Sequence, residues 1–152
     1  MKQEKQAAMQ IVGIEVRTIN APGKAEQDIP KLWHRFMEEK PGEQLTNKLS
    51  EEIYCVYCDY EGDHLQPYTT LIGYKVEANS RIPEGMRTLT IPEASYAVYR
   101  AEGDLTGTAV IDAWHRIWQD DTNRTYQADF EVYGEEAIDP TNGKINIFVG
   151  IQ

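Results

Sequence analysis

The chain has 152 residues, 41% of them hydrophobic and 26% charged, which is the make-up of one ordinary folded domain with enough chain to bury a core. Its 15 Lys and Arg against 25 Asp and Glu give a net charge of -10, which disfavours a nucleic-acid partner and is the better field for cationic ligands. No apolar run reaches membrane-spanning length, and Met1-Lys2-Gln3-Glu4-Lys5-Gln6 leads into no signal-peptide core, so a cytoplasmic protein without membrane contact is expected.

In chain order, the β-branched and partly alternating stretch Met9 to Ile19 predicts a first strand, closed by the turn residues Asn20-Ala21-Pro22-Gly23. A helix is predicted from about Gln27 to Glu39, because Ile29, Leu32, Trp33, Phe36 and Met37 recur at one-face helical spacing. Pro30 suits its first turn and Pro41-Gly42 stops it. Strands follow at Glu52 to Tyr60 and Tyr68 to Glu77, separated by the turn Glu61-Gly62-Asp63. Pro83-Glu84-Gly85 leads into Met86 to Arg100, strand-like but interrupted by Pro92. A second helix, about Gly107 to Gln119, carries Val110, Ala113, Trp114, Ile117 and Trp118 on one stripe. Ala128 to Tyr133 and Lys144 to Ile151 close the chain as strands, the latter alternating Ile145, Ile147 and Val149 with Asn146, Phe148 and Gly150.

The order is β-α-β-β twice, over about 9–78 and 86–151, and one word is repeated: Trp33-His34-Arg35 returns as Trp114-His115-Arg116. A duplicated unit predicts an α+β fold with pseudo-twofold symmetry, in which both halves build one curved, partly open antiparallel sheet under two helices as a single domain. The seam between such halves is a natural place for a ligand cleft. Aligned on Tyr60 and Tyr133, the second half has Glu131 where the first has Cys58, and this asymmetry marks the candidate site.

Glu131 alternates with Phe130 and Val132, so it is either an exposed carboxylate on a half-solvated strand or the floor of an aromatic cavity. In the second case burial raises its pKa, and an aromatic cation would restore the charge balance with cation-π support. The chain supplies three Trp, nine Tyr and three Phe for such a cavity. Trp33 and Trp114 lie on helix stripes, where core packing is the usual role. His34 and His115 fall beside the stripes with no ligand set around them, and His64 follows a strand in a loop. Cys55 and Cys58 are three apart in a strand and therefore point to opposite faces, which suits buried thiols better than a zinc or redox pair. No phosphate loop, nucleophile elbow or metalloprotease motif occurs, and no cofactor is expected.

Several stretches together resemble the GyrI-like effector-binding domain family, and within it the stand-alone, integron-associated effector-binding proteins. They are Asn47-Lys48-Leu49-Ser50-Glu51-Glu52-Ile53-Tyr54, Asp59-Tyr60-Glu61-Gly62-Asp63 with Pro67-Tyr68-Thr69-Thr70-Leu71-Ile72-Gly73, Ile82-Pro83-Glu84-Gly85-Met86, Phe130-Glu131-Val132-Tyr133, and Ile145 to Ile151. The resemblance implies a ligand groove between the halves, in which Glu131 faces cationic aromatic molecules. Trp33, Tyr54, Tyr68, Trp114 and Trp118 are the aromatic candidates to line it. Many relatives end in a strand with proline and tyrosine where this chain has Phe148-Val149-Gly150. No helix-turn-helix segment is legible, so a direct transcription-factor role is not expected. Three functions stay open: a binding module for lipophilic cations that serves a separate regulator protein, a hydrolase of electrophilic small molecules with Glu131 as base assisted by Tyr68, and a protein-interaction module like the gyrase-inhibitory relatives.

Overall fold

The computed structural model describes residues 2–120 and 123–152. Eight strands are present among them: β1 (Lys2–Gln6), β2 (Met9–Thr18), β3 (Lys48–Cys58), β4 (Tyr68–Val76), β5 (Arg87–Ile91), β6 (Ala94–Gly103), β7 (Ala128–Tyr133) and β8 (Gly143–Ile151). They form one antiparallel sheet in the order β1-β6-β8-β7-β3-β4-β2-β5. Two helices accompany it, α1 (Lys24–Glu39) and α2 (Ala109–Gln119). Replacing each strand by its counterpart in the other half (β1 with β5, β2 with β6, β3 with β7, β4 with β8) reads the order backwards. That is the signature of a twofold relation centred on the β3–β7 seam, and it bears out the α+β, duplicated architecture.

The two edges are exchanged between halves: β1 pairs with β6 and β5 pairs with β2. β1 has no apolar residue in Lys-Gln-Glu-Lys-Gln, so no hydrophobic alternation announces it, and the sequence reading omits it. Pro92 does divide the β5–β6 segment into two strands, as its missing N–H requires. α1 starts three residues earlier than expected, after Gly23 in the left-handed region (φ 83°). Pro30 consequently lies in the second turn rather than the first. The helix ends at Lys40, whose N–H donates to the Phe36 carbonyl at 3.1 Å, and Pro41 cannot extend it.

The sheet has two differently covered faces. On one, Leu32 and Phe36 of α1 pack over Ile14, Cys55 and Ile72, while Ala113, Trp114 and Ile117 of α2 pack over Ile145, Ile147 and Val149. The helices therefore sit on either side of the β3–β7 seam. The other face has no helix; it curls so that Met9, Ile11, Val56, Leu71, Ile91, Tyr96, Phe130 and Phe148, drawn from seven strands, form a core of their own. Phe130 stacks on Phe148 with ring centroids 4.8 Å apart, and Tyr96 meets Phe130 edge-on at 5.2 Å.

Gly13 of β2 lies directly opposite Gly73 of β4. A Cβ on Gly73 would come within 2.7 Å of the Gly13 Cα, and one on Gly13 within 2.6 Å of the Gly73 Cα. Backbone, not a movable side chain, is the obstacle. Gly13→Ala or Gly73→Ala is therefore expected to cost about 2 kcal/mol or more, since overpacking of this kind cannot relax; urea unfolding monitored by Trp fluorescence checks it.

Candidate functional site

The antiparallel register sets Cys55 of β3 directly opposite Glu131 of β7, with Tyr57 opposite Asp129 and Ile53 opposite Tyr133. Opposed residues share a face, so Glu131 and Tyr133 join Tyr57 and Cys55 on the side where the helices lie. Matching ring contacts mark the twofold relation: Trp33 of α1 meets Tyr133 edge-on at 4.9 Å, and Trp114 of α2 meets Tyr57 edge-on at 5.3 Å. Tyr57 and Tyr133 are thus counterparts, and so are Cys55 and Glu131. This corrects the alignment on Tyr60 and Tyr133, which matched Glu131 with Cys58. Cys58 lies across from Ala128 in the core on the opposite face. The error arises because an odd offset along a strand exchanges its faces.

Glu131 is 1% exposed, and its carboxylate is held by three side-chain donors. Tyr57 Oη–H and Trp114 Nε1–H both donate to Oε2 at 2.7 Å, and Tyr133 Oη–H donates to Oε1 at 2.7 Å. Burial pushes the Glu131 pKa up from its ordinary 4.5, opposed by hydrogen bonds from Tyr133, Trp114, Tyr57 and the Cys55 thiol. Burial also raises the Tyr57, Tyr133 and Cys55 pKa values well above the usual range, with the Glu131 charge adding to it in each case. These groups stay protonated and remain donors.

A second buried carboxylate lies two residues back on the same face. Asp129, fully buried, accepts from the Gly150 backbone N–H at 2.8 Å, from Tyr60 Oη–H and from Arg124 Nη2 at 2.8 Å. The Arg124 side chain is itself only 5% exposed, and its guanidinium lies over Tyr126 at 4.3 Å and Trp114 at 5.9 Å from the ring centroids.

Above this layer a cleft of about 70 Å³ runs between the start of α1 and α2, lined by Ile29 and Asn20, Ile111, Trp114 and Trp118, Tyr57, Tyr60 and Tyr68, His64 and Arg124. Tyr57 and Trp114 belong to its wall, and Glu131 lies behind them, one hydrogen bond from the cleft. The segment after β3 brings His64 to the cleft. Arg17 and Arg87 bind Asp59, and Arg17 pairs with Glu61 at 2.7 Å. Asn20 donates to the His64 carbonyl at 2.8 Å, and Tyr68 Oη–H donates to Asn20 Oδ1 at 2.6 Å. So anchored, the His64 ring stacks on Trp118 at 5.2 Å with 12° between planes. Burial, with the Arg124 charge, lowers the His64 pKa and so favours the neutral imidazole in the stack. A larger recess of about 360 Å³ between residues 44–47 and 80–84 has no aromatic in its lining.

The structure thus brings Trp114, Trp118 and Tyr68 together around the cleft with Glu131 behind it. It does not bring Tyr54, which faces the opposite core and packs against Phe130 at 5.8 Å. Nor does Trp33 line the cleft; it packs on Tyr133 and Phe36 on the α1 side. Tyr57, Tyr60, His64, Asn20, Asp129 and Arg124 are site residues that the sequence reading did not select. Asp129 was within reach of it, since strand alternation puts Asp129, Glu131 and Tyr133 on one face. His34 is exposed and pairs with Glu38, while His115 sits 5.4 Å from the Trp118 ring.

The fold, a duplicated α+β unit with a charged aromatic cleft beside its twofold seam, is that of the GyrI-like effector-binding class. The chain matches the model of the integron-associated effector-binding proteins (Cass2) over residues 4–151, and it belongs to that family. A curated relative, YobU of Bacillus subtilis (strain 168), named for a proposed role as a transcriptional regulator, is 28% identical over 144 residues, covering 92% of this chain and 90% of that protein. Among solved structures, an integron cassette protein of Vibrio cholerae superposes with a TM-score of 0.77 at 21% identity, covering 99% of this chain and 95% of that one. SAV2435, solved bound to tetraphenylphosphonium, superposes with a TM-score of 0.78 at 21% identity over 99% of this chain and 93% of that one. No described helix is long and apolar enough to cross a membrane.

The three donors around Glu131 set a clear stability expectation. Glu131→Ala strands the Tyr57, Tyr133 and Trp114 donors in the interior and is expected to cost about 3–6 kcal/mol. Glu131→Gln keeps an oxygen for Trp114 and Tyr57 and offers its amide to the Tyr133 oxygen, so it should fall within about 1 kcal/mol of the parent. Asp129→Ala leaves the Arg124 charge buried and unpaired, for an expected loss of about 3–5 kcal/mol. Equilibrium urea denaturation of the three variants beside the parent decides each case.

Proposed function

We propose that this protein binds lipophilic aromatic cations in the cleft between its helices and signals their presence to a separate regulator. The observation that carries the reading is the Glu131 carboxylate: buried, raised in pKa by its burial, and joined to the cleft by two of the rings that form its wall. With Asp129 set against Arg124, the ionised Glu131 leaves one negative charge unbalanced beneath the aromatic surface. A cation over Trp114 and Tyr57 gains attraction to their ring faces, on the order of 0.5–2 kcal/mol each, and compensates that charge through poorly screened surroundings. The tetraphenylphosphonium held by SAV2435 and the family membership support the same class of ligand.

The cleft is small beside the roughly 300–1,000 Å³ of most ligand sites. A multi-ring cation requires the His64–Trp118 stack to part, with the turn that carries His64 shifting against its Asn20 anchor. Binding of this kind comes with a conformational step, which is what a separate regulator could read.

The test is a thermal-shift titration with tetraphenylphosphonium as a function of pH. Because burial raises the Glu131 pKa, the ligand-free protein is favoured by protonation and loses that contribution as pH rises from 4.5 through the folded-state value. The cation binds the ionised form, so its stabilising shift should grow with pH over the same interval, with release of a proton. In Glu131→Gln, which retains the fold, the shift should be small and independent of pH. An unaltered shift in that variant would overturn the reading.

A further inference from the structure

Arg124 is under-used by the protein that buries it. Its Nη2 reaches Asp129, but Nη1 and Nε are buried with no acceptor among the described residues. Lysine could answer Asp129 with one ammonium group; a guanidinium brings further N–H donors, and Arg124 is one of the residues that line the cleft. An unsatisfied buried donor is costly, and one on a charged group more so. The Trp114 indole connects this point to Glu131: its Nε1–H is committed to the carboxylate while Arg124 lies 5.9 Å from its ring centroid. One end of the cleft therefore has negative charge behind aromatic rings, and the neighbouring wall has a cation with donors just beneath its surface that no acceptor among the described residues answers.

We propose that the cleft prefers amphipathic zwitterions: aromatic cations that also carry a carboxylate, seated on the free N–H groups of Arg124. The inference rests on the cation reading above and adds to it a specificity-determining residue and a narrower ligand class. A simple anion is not the favoured guest. Arg124 is already neutralised by Asp129, so a carboxylate arriving alone would add to the Glu131 charge, whereas a zwitterion brings its own compensating cation. A simple cation is bound but leaves the Arg124 donors unanswered.

Fluorescence titration of the full chain with rhodamine B, which carries a free carboxylate beside its cationic ring system, and with its ethyl ester, a cation only, separates the possibilities. The acid is expected to bind about tenfold more tightly than the ester, the scale of one charge-assisted hydrogen bond in a partly buried site. In Arg124→Lys the ratio should fall to about one. Equal or tighter binding of the ester by the unmodified protein overturns the proposal, as does a ratio that persists in Arg124→Lys. The ratio on the unmodified protein decides by itself should the lysine variant not fold. Glu131→Gln tests the underlying reading separately, because it should weaken both dyes alike; if it weakens neither, the cation reading fails while the acid-to-ester ratio still reports on Arg124. If neither dye binds the unmodified protein, both fall.

Discussion

The site depends on one buried carboxylate at the point where the two halves of the molecule meet. Glu131 sits opposite Cys55 on the seam, and its oxygens gather a phenol from β3, a phenol from β7 and the indole of α2. An ionised carboxylate away from water needs such donors, and the donors need an acceptor, so the four side chains fix one another. The Tyr57 and Trp114 rings are thereby turned with their polar ends toward the carboxylate while they line the cleft. What gives the cleft its charge also gives it its wall.

This arrangement uses a broken symmetry. Trp33 with Tyr133 and Trp114 with Tyr57 are the same contact made twice, yet a thiol stands at one counterpart position and a carboxylate at the other. Of the two indoles, Trp114 is the one that donates to Glu131. The cleft accordingly opens on the α2 side, where Trp114 and Trp118 line it, and Trp33 stays in the packing of α1. Asp129 and Arg124 reinforce the same side, adding a second buried charge pair that has no counterpart across the seam: the position equivalent to Asp129 by the twofold relation is Ile53.

Much of the architecture was legible because hydrophobic alternation and helical stripes are written residue by residue. Seven of the strands and both helices announce themselves in this way, and alternation put Glu131 and Tyr133 on a common face. Three things escaped. Lys2–Gln6 has no apolar side chain, so only the need of β6 for an edge partner makes it a strand. The match of Cys58 with Glu131 took Tyr60 as a landmark, but Tyr60 lies beyond the end of β3, and a shift of three residues turned the comparison onto the wrong face; Tyr54, a candidate from the resemblance, lies on that other face. Arg124 and His64 come from connecting segments, where no periodicity exists and a side chain's direction is set by distant anchors such as Asn20 and Asp129.

The exchanged edge strands bear on how the chain is made. Lys2 pairs with Val98, so β1 has no partner until the whole first half and the start of the second have been synthesised. An unpaired strand waiting that long is an invitation to aggregate if it is apolar. Lys-Gln-Glu-Lys-Gln can wait in water at little risk, and once in place its lysines discourage another sheet from docking on the exposed edge. The five residues hardest to recognise as a strand are therefore suited, by the same polarity, to waiting for a partner made much later.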